Sequence, residues 1–397
     1  MKQSLEEDII TAWAFMPNSI DKDTNLDLAI DNFRSWSNQL NANSFDLVMM
    51  GYRYSSLFNQ YLIHFNSGEI KPKSLIDLWL IFFSASLSRD RIKDPSFGNL
   101  IVEISKTKLG EKTTSLTNAF VRSIEKNREL IDQLLDDPKT ILSESFINQN
   151  IIPDPKSLSK SILSRPVPGI QGFDKDLNHI TLDISELSEI SNFQAMNIGS
   201  FNFSSWSIEK IFNYIKKNDL KEISLLDACA APGAKLIKSY LDIKSKFTIS
   251  KCTATEAKNK RFKILNENLK NWSLENNIDT EIYTWGKNHE NPAMKNSFNV
   301  ILADLPCSGS GTVQTRPDIL NKNLDYPQTK KLVQLQTDIV NELINTFHNS
   351  LFLFSICSMN KFEINNLNNL LAIKPSFQST LVEHKTTDII TGWEYCN

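Results

Sequence analysis

The sequence predicts an all-α domain followed by an α/β domain whose strands form a parallel sheet wrapped by helices. Three observations lead there. Apolar residues recur at helical spacing from residue 1 to about 138. Proline and glycine then crowd the next stretch and punctuate it. From about residue 221, short apolar strands alternate with helical segments.

In the first domain, 1–138, the helical pattern is plain in LVMMGYRYSSLFNQYLIHF and in SLIDLWLIFFSASL. It continues in SLTNAFVRSIEKNRELIDQLL, where Leu116, Phe120, Val121 and Ile124 share one face. The segment 139–200 contains DPKT, IIPDPKS and RPVPGIQGF and reads as a linker or small connecting subdomain. HITLDI (179–184) is the strand candidate within it, and SSWSIEKIFNYIKK beyond it reads as an amphipathic helix. In the second domain, 201–397, EISLLDA reads as a buried strand, followed by a small-residue turn and the helix IKSYLDIKS. FTISKCTATEA is the next strand and KNKRFKILNENLKNW the next helix. SFNVILADLP and LFLFSICS are further strands, with a last one expected near GWEYC. Sheets of this kind place ligands at the carboxyl ends of their strands.

Composition narrows the function classes. The chain carries 43 Lys+Arg against 46 Asp+Glu, a formal net charge of -3. That argues against a protein that coats nucleic acid and is compatible with a local basic groove. Acidic residues crowd the start (Glu6, Glu7, Asp8, Asp21, Asp23) and basic ones the stretch from Lys235 to Lys270, as in a chain with one nucleic-acid-facing half. The five cysteines, at 229, 252, 307, 357 and 396, are irregularly spaced and include no Cys-x-x-Cys pair. This speaks against a disulfide framework or a zinc site, and reduced thiols imply a cytoplasmic protein. The five histidines show no metal-ligand spacing, so no metal is expected. The start lacks the basic and apolar regions of a signal peptide. The longest apolar run, around Leu78–Phe83, falls far short of the ~20 residues that span a bilayer. We therefore expect a monomer with no membrane partner.

The strand ends hold the informative residues. LLDACAAPGAK (225–235) follows the first strand with a run of small residues that lets backbone approach a ligand. It lacks the order of a phosphate-binding Walker loop and the complete Gly-x-Gly-x-x-Gly pattern. Glu256 closes the second strand about 20 residues on, where an acid can accept hydrogen bonds from both ribose hydroxyls of a nucleoside. Alone, the turn is merely tight and the acid a surface residue; together they suit an adenosine cofactor. ADLPCSGSGTVQTRPDI (303–319) presents Asp304 and Cys307 at a third strand end, and SICSMNKFE (355–363) presents Cys357 at a fourth. Free cysteines are usually buried as small hydrophobes. We read Cys229 and Cys252 that way, and Cys396 carries no information. Cys307 and Cys357, flanked by Ser and Gly at the ligand end of the sheet, are candidates for reactive thiols.

Carbon 5 of cytosine is a poor nucleophile until a thiolate adds to carbon 6. A carboxyl group near ring nitrogen 3 assists that addition, and a base must later remove the carbon 5 proton. One reactive cysteine, a carboxylate and a second proton-handling group meet this demand. The residues alone leave open which thiol attacks.

DACAAPGAK, DLPCSGSGT with RPDI downstream, LVQLQTDIVNEL and ICS, in this order, resemble the bacterial RsmB/Sun family of small-subunit ribosomal RNA cytosine-5 methyltransferases. The resemblance is strong over about 200–397. VEISKTKLGEKTTSLTNAFVRSIEK looks like the end of that family's NusB-like helical RNA-binding domain. It implies a Rossmann-like methyltransferase domain preceded by an all-α NusB-like domain, with S-adenosyl-L-methionine as cofactor and RNA as partner. Carried over, Cys229, Ala230, Ala231, Pro232, Gly233, Ala234 and Lys235 would line the methionine and ribose part of the cofactor, and Glu256 would bind the ribose. Arg261 is near enough to Glu256 to help hold the cofactor. Asp304 would lie between cofactor and base. Cys357 matches the nucleophile and Cys307 the cysteine that helps release product. Arg316 and Asp318 in RPDI would order the substrate loop.

Five features depart from the family. Ala234 replaces the second glycine of the first turn, and Trp285 takes the place of an acid near the adenine, where stacking would substitute. Ile356 stands where Thr is common, and the glycine pair before the Cys357 strand is missing. The linker is also shorter than the family's. These departures motivate an alternative, a homologue that binds RNA or assists ribosome assembly without catalysis.

Overall fold

The computed structural model describes residues 4–19, 42–65, 72–88, 95–152, 154–164, 170–182, 193–287, 298–379 and 388–396. All of 165–169 and 183–192, on which part of the linker reading rests, lie outside the described residues, as do Asp21 and Asp23. The chain forms two compact units.

The first unit comprises 1–148, 152–165 and 316–323. Its helices are α1 (Leu5–Ser19), α2 (Ala42–Phe65), α3 (Lys73–Ser88), α4 (Pro95–Leu109), α5 (Thr114–Lys126), α6 (Arg128–Asp136), α7 (Pro138–Ile141), α8 (Glu144–Gln149) and α9 (Pro155–Leu163). Aromatic side chains fill the space between α2, α3 and α5. The Trp79 and Phe120 rings stack 4.4 Å apart, and Trp79 donates its indole N–H to the Thr117 hydroxyl. Phe120 and Ile124 are buried as the periodicity requires, with Leu116 and Val121 half-buried at the margin of the same face. The 3-10 turn Pro317–Asn321 belongs to this unit. There the buried Asp318 carboxylate is bound by Arg316 and Lys322.

The second unit comprises 149–151, 166–315 and 324–397. Three short strands, β1 (Ile170–Phe173), β2 (His179–Leu182) and β3 (Gln194–Ala195), make a small antiparallel sheet in the order β2-β1-β3. Next come α10 (Ile198–Lys217), β4 (Ile223–Asp227), α11 (Ala234–Lys244), β5 (Ile249–Glu256), α12 (Asn259–Asn271), β6 (Asp279–Ile282) and β7 (Val300–Asp304). The chain continues through α13 (Tyr326–Thr346), β8 (Leu351–Ile356), α14 (Lys361–Leu371), β9 (Phe377–Gln378) and β10 (Thr391–Cys396).

The main sheet runs β6-β5-β4-β7-β8-β10-β9. Its first five strands are parallel, and β10 is antiparallel to both β8 and β9. Strand periodicity explains the layers, since successive side chains point to opposite faces. Leu225, Val300, Leu302, Leu351 and Leu353 join one buried cluster with Ile211, Ile237 and Leu265 of α10–α12. The intervening Leu226, Ile301, Ala303, Phe352 and Phe354 join another with Ile339, Leu343, Ile364 and Leu367 of α13 and α14. Helices on both faces of a largely parallel sheet are the Rossmann-like arrangement.

The composition-based boundaries at 138 and 200 need correction. The linker or small connecting subdomain expected over 139–200 divides, over its described residues, between the two units: α7, most of α8, and α9 add to the helical unit, whereas β1–β3 add to the α/β unit. Short amphipathic helices capped by Asp137 and Asp154 supply the apolar faces that draw that stretch into a core. Proline density hid them, because Pro138 and Pro155 open helices, where proline lacks no needed N–H. Among the described residues no helix is long and apolar enough to cross a membrane.

Candidate active site

Strand order reverses between β4 and β7, and a cavity of about 580 Å³ opens beyond their carboxyl ends. Ligand pockets typically measure about 300–1,000 Å³ and favour such switch points. Asp227, Cys229, Ala230, Ala231, Pro232, Ala234, Lys235, Asp304 and Cys357 all line it. Glu256, Arg261, Gly233, Cys307 and Trp285 are not among its lining residues.

The first turn is built by backbone geometry. Gly233 takes φ 108°, a left-handed value that would strain a side chain, and caps α11. Ala234 is the first residue of that helix, so its methyl group rides on ordinary helical backbone. The departure from a second glycine is thus accommodated. Asp227 ends β4 and accepts the Cys229 N–H at 3.2 Å. Burial pushes its carboxyl up to about 7, opposed by that hydrogen bond and reinforced by Asp304. Burial and the surrounding carboxylates push the Cys229 thiol far above its ordinary range, so it behaves as a neutral lining group.

Glu256 ends β5 beside this turn. It accepts the Lys258 N–H at 3.1 Å and lies 3.5 Å from the Arg261 guanidinium. Arg261 also donates to the Ala231 carbonyl, tying helix α12 to the turn. These two residues lie beside the turn and next to the residues that line the cavity.

Asp304 is held on both oxygens. Lys235 donates to one at 2.5 Å and the Ser355 hydroxyl to the other at 2.7 Å. Burial works against the Lys235 ammonium, yet Asp304 and Cys357 together hold its pKa above the ordinary value. The cysteines of the third and fourth strand ends meet: Cys307 Sγ and Cys357 Sγ are 3.5 Å apart. The hydrogen bond to Cys357, then burial, pushes the Cys307 thiol well above its usual range.

Sequence reasoning missed the group that holds this pair. Glu363 is fully buried and accepts four hydrogen bonds. They come from the Ser308 N–H at 2.9 Å, the Ser308 hydroxyl at 2.6 Å, the Ser358 hydroxyl at 2.6 Å and Gln336 Nε2 at 2.9 Å. Ser308 and Ser358 each follow one of the two cysteines, so a single carboxylate ties both loops. The repeated Cys-Ser dipeptide, with an acid six residues past the second, was the available signal. Gly311 adds a backbone clamp, donating to the Cys357 carbonyl at 3.1 Å and accepting from the Ile389 N–H at 2.9 Å. A Cβ there would sit 2.1 Å from the Ile389 carbonyl oxygen, so only glycine fits.

Trp285 requires a correction. It is 4% exposed, packs against Tyr283 and Phe347, and donates its indole N–H to the Thr255 hydroxyl at 2.8 Å. Its ring serves the core beneath the sheet ends and does not offer a face to the cavity, because a satisfied indole N–H and aromatic neighbours stabilise the inward position.

Residues 215–391 match the family model described as 16S rRNA methyltransferase RsmB/F. That match covers a little under half of the chain, all of it within the α/β unit and the segment 316–323 that carries the turn Pro317–Asn321. Curated relatives agree. Ribosomal RNA small subunit methyltransferase B of Photorhabdus laumondii is 29% identical over 210 residues, covering 52% of this chain and 41% of that protein. Ribosomal RNA small subunit methyltransferase F of Shewanella loihica is 25% identical over 181 residues, covering 44% of this chain and 35% of its own length. Each match thus spans less than half of the relative. The crystal structure of PH0851 superposes with a TM-score of 0.57 at 14% identity, covering 99% of this chain and 98% of that one, which shows the fold. The RsmB/F region contains every sequence-predicted site residue together with Glu363 and Asp388.

Proposed function

We propose that this chain transfers a methyl group from S-adenosylmethionine to carbon 5 of a cytosine in small-subunit ribosomal RNA, with Cys357 as covalent nucleophile. The single observation that carries it is the pair of thiols in contact at adjacent strand ends, one lining a cavity shared with the Lys235–Asp304 pair.

An adenosine cofactor fits the cavity. The turn 229–235 offers small buried side chains and a left-handed glycine, so backbone can approach a ligand closely. Cys229 to Lys235 would hold the methionine and ribose part, with Glu256, steadied by Arg261, at the ribose. When bound, the cofactor supplies a methyl group on a sulfonium, whose carbon–sulfur bond breaks as the methyl joins carbon 5.

The chain's own residues do the rest. The Cys357 thiolate adds to carbon 6 and makes carbon 5 electron-rich. As sulfur adds, ring nitrogen 3 takes up a proton from solvent, and Asp304, oriented by Lys235 and Ser355, accepts the resulting N–H until that proton is lost again as the adduct collapses. Loss of the carbon 5 proton then lets the carbon 6–sulfur bond break and returns the thiolate to Cys357. We assign that proton to Cys307, which touches Cys357 and takes it up after releasing its own thiol proton to solvent. Cys357, the one of the two that lines the cavity, is the attacking thiolate. The target base must be unstacked, since carbon 6 is inaccessible in a helix. The helical unit, by its NusB-like resemblance, is the RNA-binding candidate.

Methyl transfer to unmodified small-subunit RNA tests the reading, with 5-methylcytidine as the product measured. Cys357→Ala should abolish transfer, and Cys307→Ala should accumulate a covalent protein–RNA adduct. Equal transfer by wild type and Cys357→Ala would remove Cys357 from the mechanism.

A further inference from the structure

Asp388 lies outside every motif described above, yet it lines the same cavity. It is firmly held. Asn197 Nδ2 donates to its Oδ2 at 2.5 Å, its own N–H reaches Asn197 Oδ1 at 3.4 Å, and its carbonyl accepts from the Ser379 hydroxyl at 2.8 Å. The other carboxylate oxygen, Oδ1, is buried without a hydrogen-bond partner among the described residues. An anchored carboxylate with one buried, unused acceptor is costly unless something donates to it.

Its neighbours place it along the cavity. Asp388 lines one cavity with Asp227, the Lys235–Asp304 pair and the Cys357 nucleophile. The Lys235 ammonium is close enough to act electrostatically on Asp388, and Cys357 acts in turn on Lys235.

We propose that Asp388 accepts a hydrogen bond from the exocyclic amine of the target base and so distinguishes cytosine from uracil. The inference rests on the cytosine-5 reading above. Ring nitrogen 3 and the amine on carbon 4 share one edge of cytosine. Asp304 and Asp388, two carboxylates lining one cavity, suit that edge once ring nitrogen 3 carries the proton it gains in the adduct. Uracil presents a carbonyl oxygen at the same position, which the carboxylate repels. Flipped bases are read along this edge, and acidic side chains pair with the cytosine amine. Burial pushes the Asp388 carboxyl up to about 6, with Lys235 and the Asn197 hydrogen bond opposing the rise, so it is largely ionised at neutral pH.

The test uses full-length protein and unmodified small-subunit RNA transcribed in vitro. The cytosine methylated by wild type is mapped, and a second RNA carries uridine there. Asp388→Asn keeps the shape and replaces one acceptor with a donor. Its kcat/KM on the cytosine RNA should fall about 10–100-fold, the loss expected for a charged hydrogen bond. Its preference for cytosine over uridine should narrow by a similar factor, while calorimetry gives S-adenosylmethionine affinity within about twofold of wild type. Asp388→Ser, checked by thermal melting, is the second variant should the first not fold. Unchanged rate and unchanged base preference would overturn the inference alone. So would a loss of cofactor affinity as large as the loss of rate, which would move Asp388 to the cofactor. A wild type inert on both RNAs would overturn the underlying reading, and this inference with it.

Discussion

Substituting Glu363 perturbs the framework of the site without requiring its substrate. Four donors converge on that carboxylate, and they are not equivalent. The Ser308 and Ser358 hydroxyls lie 3.0 Å from each other, and the Ser310 and Ser358 hydroxyls 3.1 Å, so they can re-pair. Gln336 Nε2 keeps its bond to the Pro306 carbonyl at 2.9 Å. The Ser308 N–H would lose its carboxylate acceptor in a partly buried setting. Glu363→Ala should therefore cost about 1–3 kcal/mol for that orphaned N–H. Lost packing of a fully buried side chain adds to this, for roughly 3–4 kcal/mol in total. Glu363→Gln keeps one acceptor oxygen for the two nitrogen donors and faces its amide toward hydroxyls that can turn, so about 1–2 kcal/mol is expected. Urea denaturation followed by hydrogen exchange of β7 and β8 amides measures both. Alkylation of Cys357 gives an independent readout and should accelerate as its loop loosens. Equal midpoints for the Ala and Gln variants, or an Ala variant within about 0.5 kcal/mol of wild type, would refute the positioning argument.

Two further perturbations probe neighbouring groups. Asp227 has its folded pKa raised from 3.8 to about 7. The stability of its protonated form is present in full below about pH 4 and is lost as pH rises toward 7. Asp227→Asn should escape that loss, so its denaturation midpoint should gain on wild type between pH 5 and 8; parallel profiles would contradict the raised value. Trp285→Phe removes the bond to Thr255 and should cost about 1 kcal/mol plus a packing loss, leaving S-adenosylmethionine affinity per folded molecule unchanged. A tenfold weaker affinity would instead return the ring to the adenine.

Much of the α/β unit was legible because strand and helix periodicities are local. EISLLDA, FTISKCTATEA, SFNVILADLP and LFLFSICS each became a strand, and the acid or cysteine closing each stands at the carboxyl end of the sheet. The small sheet β1–β3 was mostly missed, since strands of two to four residues carry too few alternations to read. Trp285 was misplaced because position along a motif says nothing of which way a ring turns; Thr255 and Phe347, distant in sequence, decide that.

By itself, then, the sequence determined the layer order, the strand ends where chemistry gathers, and two candidate thiols. Which side chains converge was decided only by tertiary structure. Asp304 meets Lys235, Cys307 meets Cys357, Glu363 ties both cysteine loops, and Asp388 enters the cavity from just before β10. The physical reason is range. Secondary structure follows from spacing within a dozen residues, whereas a buried carboxylate gains its donors, or is left with an oxygen unused, through neighbours that only the packed sheet brings together.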